Sequence, residues 1–231
     1  MRSDGIRVFT GKEKAQIVGS ISSVDVLLRM ARSRKLPFDI AEIRLDQMTP
    51  SGGFWQAAAQ RLVERGVPVI LTIRSASEGG GWRWSESARA ALYELGLPYV
   101  SAVDIEVGSR IFRRVTESAH ERDCVVIGSF HDFRGTPSKA SLQRLAKRAR
   151  RVGADVVKLA TMVRKPGDVE VLSQVLSEEK GGPLCVIGMG DQGQESRIRL
   201  PREGSCLAYG YVGKSAAPGQ LSCVELVAAL N

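Results

Sequence analysis

Eight short apolar runs, recurring about every 27 residues and separated by amphipathic helical stretches, predict a single-domain α/β fold, the (β/α)8 barrel. Two further observations point the same way. The spacing leaves room for one strand, one helix and two loops in each unit. A helical crossover between consecutive strands makes those strands parallel. A doubly wound open sheet is the alternative, but it is usually marked by G-x-G-x-x-G after the first strand, and IVGSISS (17–23) is not that pattern.

The expected strands are AQIVGSI (15–21), DIAEIRL (39–45), PVILTIR (68–74) and YVSAVDIE (99–106), followed by CVVIGSF (124–130), ADVVKLA (154–160), PLCVIGM (183–189) and CLAYGYV (206–212). Each is a β-branched or apolar run of strand length. Between them, VDVLLRMARSR (24–34), FWQAAAQRLVERG (54–66), SESARAALYELG (85–96) and SLQRLAKRARRVG (141–153) repeat apolar residues at helical spacing. Several of these stretches begin after a Ser or Asp able to cap a helix, and several end at Gly, which tolerates a left-handed turn. Residues 1–14 show no such pattern and are expected to form an arm, leaving 15–231 as the barrel.

Composition excludes other classes. The chain has 231 residues, 43% hydrophobic and 25% charged, enough for one well-cored domain and short for two. No run of about 20 apolar residues offers a membrane span, and the charged N-terminal stretch lacks the apolar segment of a secretory signal. Cys124, Cys185, Cys206 and Cys223 form no C-x-x-C pair, which argues for a reducing cytoplasm and against structural zinc or disulfides. The formal charge of +8 has its main cluster at Arg144, Lys147, Arg148, Arg150 and Arg151, interleaved with apolar residues. That pattern reads as the solvated face of a helix rather than a nucleic-acid groove, because no aromatic stacking platform accompanies it. A basic balance equally suits an enzyme with an anionic substrate.

In such a barrel the chemistry sits at the C-terminal ends of the strands. Glu42 and Arg44 end strand 2, Arg74 ends strand 3 with Glu78 just beyond, and Asp104 and Glu106 end strand 4. His131 and Asp132 follow strand 5, Lys158 lies in strand 6, Met189 ends strand 7 ahead of a Gly-rich loop with Arg197, and SAAPGQ follows strand 8. Lys158 shares a strand face with Val156 and Ala160, so it should point inward. Burial and neighbouring arginines would favour its neutral amine, which can attack a ketone to form an imine; a lysine ion-paired to Glu42 or Glu106 is the alternative. His131, over the barrel mouth, suits a general acid/base, or else a hydrogen-bonded structural role. His120, in the polar VTESAHERD stretch, reads as a solvated surface residue. No His or Cys pair stands at metal-ligand spacing, so no metal is expected.

Seven ordered segments resemble the type I 3-dehydroquinate dehydratases: EIRLD (42–46), TIRSASEGG (72–80), VDIE (103–106), SFHDFRGTP (129–137), GADVVKLA (153–160), the M-G-x-x-G-x-x-S-R pattern from Met189 to Arg197, and AAPGQ (216–220). The resemblance implies that Lys158 forms a Schiff base with 3-dehydroquinate, that His131 moves the proton, and that Glu78 orients His131. It further implies that Arg197 pairs with the substrate carboxylate, that Glu42, Arg44, Arg74 and Gln220 hold ring hydroxyls and close the site, and that Met189 belongs to the same pocket. Where some family members carry a serine directly before APGQ, this chain has Ala216, and Ser215 is the candidate replacement. No metal, nucleotide or redox cofactor is implied, and the expected assembly is a cytoplasmic homodimer with no nucleic-acid or membrane partner. Two rival readings are an aldolase- or transaldolase-type barrel using the same lysine, which would need a phosphate site, and a non-catalytic basic binding protein. Trp82 and Trp84 are assigned no role beyond packing.

Overall fold

The computed structural model describes residues 8–10, 14–48, 54–215 and 219–231. Strands β1 (Gln16–Ile21), β2 (Ile40–Arg44), β3 (Val69–Thr72), β4 (Ala102–Glu106), β5 (Val125–Asp132), β6 (Val156–Met162), β7 (Leu184–Met189) and β8 (Leu207–Tyr211) fall within or close to the eight expected runs. They alternate with helices α1 (Val24–Arg32), α2 (Phe54–Glu64), α3 (Glu86–Gly96), α4 (Phe112–His120), α5 (Lys139–Val152), α6 (Pro166–Glu178), α7 (Ser196–Arg202) and α8 (Cys223–Leu230). Local chemistry sets several helix ends: Ser85 caps α3, Ser138 caps α5, and Ser222 with Glu225 forms a reciprocal capping box on α8.

The strands pair in parallel in the order β7-β6-β5-β4-β3-β2-β1-β8. At the remaining seam Cys206 N–H donates to the Leu184 carbonyl (3.0 Å) and Val186 N–H to Ser205 Oγ (3.0 Å), so the barrel is nearly closed. Side-chain alternation divides the apolar residues into two sets. Outward residues such as Ile17, Ala41, Leu71, Val103, Val126 and Val157 meet the helices. Inward residues, among them Val18, Ile40, Ile70, Ala102, Val125, Val156 and Leu207, fill the interior.

Two features depart from the expected boundaries. β5 runs on through His131 and Asp132, which pair with Ala160 and Thr161 of β6, so His131 is held by a strand and not by a loop. Phe9, inside the stretch read as an arm, is 1% exposed and shares the interior cluster with the first inward residues of the strands. Residues 1–7 and 11–13 of that stretch lie outside the described residues.

All four cysteines are free and buried. Among the described residues no helix is long and apolar enough to cross a membrane.

Candidate active site

Lys158 follows the inward row of Val156 and ends at the base of a cavity of about 140 Å³ at the C-terminal mouth. That volume is close to the ~150 Å³ that admits a single benzene ring, so the site suits one small ring. Both readings of the lysine meet here, because it is inside the pocket and ion-paired. Its Nζ donates to Asp104 Oδ2 at 2.9 Å and stands 3.8 Å from Glu42 Oε1. The face of Tyr209 covers it, with the ring centroid 3.8 Å away, a contact that favours a cationic nitrogen.

The expected partner Glu106 is instead taken by two arginines. Arg74 Nη1 lies 3.1 Å from Glu106 Oε1 and donates to Ser129 Oγ at 2.7 Å, while Arg74 Nη2 donates to Asp104 Oδ1 at 2.7 Å. Burial opposes ionisation of Asp104, but Arg74 and then Lys158 outweigh it and hold the carboxyl well below the usual range. Glu42 is fixed by the Ser20 and Thr72 hydroxyls, at 2.7 and 2.8 Å. The result is a buried run of alternating charge from Glu106 through Arg74 and Asp104 to Lys158. Buried pairs of this kind contribute little net stability, so their geometry calls for another reason.

His131 lies one inward position above Ser129 on β5. One carboxylate oxygen of Glu78, in the short turn after β3, accepts from the His131 backbone N–H (2.9 Å) and faces its Nδ1 (3.0 Å). With Nδ1–H directed at the carboxylate, Nε2 is left to exchange a proton with whatever occupies the cavity. Burial first, then Arg74 and Lys158, push the imidazole well below its ordinary pKa. Burial raises Glu78 to about 7, against the pull of Arg74 and with help from Glu106. Each is therefore biased towards its neutral form.

The Glu-Gly-Gly sequence has a geometric cause. Gly79 takes φ 77°, and a side chain at Gly80 or Gly81 would strike the carbonyl of Arg74 or Asp46. The loop can thus settle on Asp46, whose Oδ2 accepts from Gly81 N–H at 3.0 Å while its two oxygens bind Arg44 at 3.0 and 2.8 Å. Arg44 is thereby aimed into the cavity, whose walls also include Met189, Arg197 and Gln220. Arg197 is the second residue of α7 rather than part of a loop. It is buried, its Nε lacks a hydrogen-bond partner, and burial lowers its pKa to about 10. A desolvated guanidinium of that kind calls for an anion.

The cavity thus gathers Lys158, His131, Glu78, Glu42, Arg44, Arg74, Arg197, Gln220 and Met189. Ser215 is exposed and absent from the walls, and Ala216 lies outside the described residues. His120 is not a solvated surface residue: its Nε2 meets Asp155 Oδ2 at 3.0 Å, and that oxygen also accepts Val126 N–H at 2.8 Å, so the ring ties α4 to the barrel. Trp82 and Trp84 meet in a tilted contact, with centroids 4.9 Å apart and planes at 58°, and Trp84 is largely exposed. Sequence reading missed Ser20, Thr72, Ser129 and Tyr209. The first three are detectable as polar residues on inward rows; Tyr209 reads as ordinary core. Among the described residues no three His, Cys, Asp or Glu side chains cluster as a metal site.

Comparison with known proteins agrees with this architecture. The family described as type I 3-dehydroquinase matches residues 18–231. The chain is 34% identical over 230 residues to the 3-dehydroquinate dehydratase of Methanococcoides burtonii, covering 98% of this chain and 97% of that protein. Its fold matches the 3-dehydroquinate dehydratase of Geobacillus kaustophilus with a TM-score of 0.84 at 27% identity, covering 94% and 90% of the two chains. It also matches the type I enzyme of Clostridium difficile, solved with covalently modified comenic acid, with a TM-score of 0.83 at 27% identity and coverage of 94% and 91%. An interior lysine among paired carboxylates, a histidine braced by glutamate and near full-length similarity lead to one conclusion: the chain belongs to the type I 3-dehydroquinase family.

Proposed function

We propose that the chain converts 3-dehydroquinate to 3-dehydroshikimate and water through an imine on Lys158, as a lyase of the shikimate route to aromatic amino acids. The observation on which this rests is the stacking of groups in one cavity: an amine at the base, a histidine backed by a carboxylate above it, and a buried unpaired arginine on the wall. Each has a task in such a reaction.

The neutral Lys158 amine adds to the substrate ketone, and the resulting carbinolamine takes up one proton from solvent and loses water to give a protonated imine. That cation occupies the place of the ammonium, beside Asp104 and Glu42 and under the Tyr209 ring, so its positive charge is already provided for. The iminium draws electrons from the adjacent C–H bond. His131 Nε2 takes that proton, leaving an enamine. The enamine then expels the β-hydroxyl, which leaves as water with the proton returned by His131. Water hydrolyses the imine, releasing product and restoring the amine. Glu78 holds the imidazole in register and favours its protonated form at the moment it holds the proton. Arg197 binds the substrate carboxylate, and Glu42, Arg44, Arg74 and Gln220 hold ring hydroxyls. Met189 supplies an apolar wall, and Ser215 stands in for the serine that some family members carry directly before APGQ. The family resemblance supports a homodimer working in the cytoplasm, with the small-molecule substrate as its partner.

The direct test is intact-mass spectrometry after mixing the protein with 3-dehydroquinate and borohydride, with Lys158→Ala in parallel. The wild-type chain is expected to gain a reduced adduct and to consume substrate, and Lys158→Ala to do neither. Absence of both adduct and turnover in the wild type would overturn the reading. An adduct formed only with phosphorylated ketones would transfer it to the aldolase class.

A further inference from the structure

One buried cation of this network stands outside the cavity walls. Arg89 belongs to α3, on the outer layer of the barrel, yet is 1% exposed. Arginines on outer helices ordinarily extend their guanidinium to water. Here Nη1 donates to Glu106 Oε2 (2.7 Å) and the Ile73 carbonyl (3.1 Å), while Nη2 donates to Glu86 Oε2 and Ser109 Oγ (each 2.8 Å). The side chain links α3 to the ends of β3 and β4.

Its effect is transmitted through Glu106. With Oε2 held by Arg89, Glu106 offers Arg74 only Oε1, which also accepts Ser75 N–H at 2.9 Å. Arg74 therefore keeps Nη2 for Asp104 Oδ1, and Asp104 keeps only Oδ2 for Lys158. Each group satisfies one neighbour on each side, so a change at one end is passed along the row.

We infer that Arg89 is a positioning residue for the Lys158 amine, acting through Glu106, Arg74 and Asp104; the inference rests on the imine chemistry proposed above. Without Arg89, Glu106 gains a free oxygen and takes Arg74 in a two-point pair, the preferred geometry of arginine with carboxylate. Asp104 Oδ1 is then released and turns to Lys158 beside Oδ2, which stabilises the ammonium and slows imine formation. The charged and titratable groups facing the amine are Asp104 on β4, Glu42 on β2, Arg74 beyond β3, His131 on β5, Cys185 on β7 and Tyr209 on β8. Of these, Arg74 and Asp104 lie on the path from Arg89, so the change should appear in the protonation of the amine and leave the contacts of Arg197 with the substrate carboxylate intact.

The test measures the rate of the borohydride-trapped adduct with 3-dehydroquinate across the neutral and alkaline range, for wild type, Arg89→Met and Arg89→Lys. For Arg89→Met the acidic limb should move up by about one pH unit, making trapping about tenfold slower at neutral pH and restoring it under alkaline conditions, with KM little changed. Arg89→Lys keeps a cation against Glu106 and so protects the fold, but one ammonium cannot span Glu106 and Glu86 as the guanidinium fork does. It should move the limb the same way by about half a unit, roughly threefold in rate. If both variants lower the melting temperature and leave the limb where it was, Arg89 is only a strut. If Arg89→Met does not fold, an unmoved limb in Arg89→Lys leads to the same conclusion. Failure to trap any adduct on the wild type would remove the imine reading itself, a result distinct from trapping with unmoved limbs.

Discussion

At the starts of the strands, Val18, Ile40, Ile70, Ala102, Val125 and Val156 form an apolar cluster with Phe9. Two to four residues later, on the same inward rows, stand Glu42, Arg74, Asp104, Glu106 and Lys158, all buried. The two ends share strand geometry, hydrogen-bonding pattern and burial, so the backbone does not distinguish them; their side chains do. Burying the apolar end lowers the free energy of the fold directly. Burying the charged end removes several ions from water and recovers most of that cost only through close pairing. A chain that needed only stability would fill both ends with Val and Ile. The charged end is explained by what its groups do together, and substitutions at the two ends should separate activity from stability.

The largest separation is expected at His131. His131→Ala removes the proposed proton carrier and leaves the Lys158 pairing intact, so turnover should fall by about 10²–10⁴-fold while borohydride still traps a substrate adduct. Loss of both together would mean that His131 acts in imine formation as well. At the opposite end, Phe9→Ala leaves a cavity in the apolar cluster and should cost about 3–5 kcal/mol of unfolding free energy by denaturant titration. The kcat of the protein that remains folded should stay at the wild-type value. A drop in kcat after correction for folded fraction would show that the two ends are coupled.

The same contrast explains which features are legible in the sequence. Strand positions are readable because β-branched runs recur at regular spacing, and inward pointing is readable at Lys158 because alternation places it with Val156 and Ala160. What periodicity does not supply is partner choice. Asp104 and Glu106 sit two residues apart on one row and share Arg74, yet only Asp104 reaches Lys158 and only Glu106 reaches Arg89. That choice depends on Arg89 arriving from an outer helix, where an arginine looks like a solvated residue. His120 looks solvated for the same reason: its partner Asp155 lies 35 positions away. His131 reads as a residue beyond the strand because the continuation of β5 depends on pairing with Ala160 and Thr161, not on its own residue types. Phe9 stands in a stretch with no repeating pattern, so nothing local marks it as core.

The smallest expected effect lies at Glu78, and it has opposite signs for activity and stability. The folded protein holds this carboxyl at about 7, chiefly through burial, above the ordinary glutamate value of about 4.3. Its folded-state pKa is raised, so the stability it contributes is complete below the unfolded value and is lost as pH rises through 7. The ionised form is also the one that favours a protonated His131. Turnover should therefore climb as pH rises through about 7. Glu78→Gln retains a carbonyl acceptor for the His131 backbone N–H and removes the titration. The climb should disappear, with activity about tenfold lower on the alkaline side, roughly the effect of one unit in the base strength of His131, and little changed on the acid side. Over the same range the variant should melt higher than the wild type at alkaline pH and alongside it in acid. If Glu78→Gln kept the climb, another group would own that titration. If it lowered activity equally at every pH, Glu78 would act on His131 through position alone.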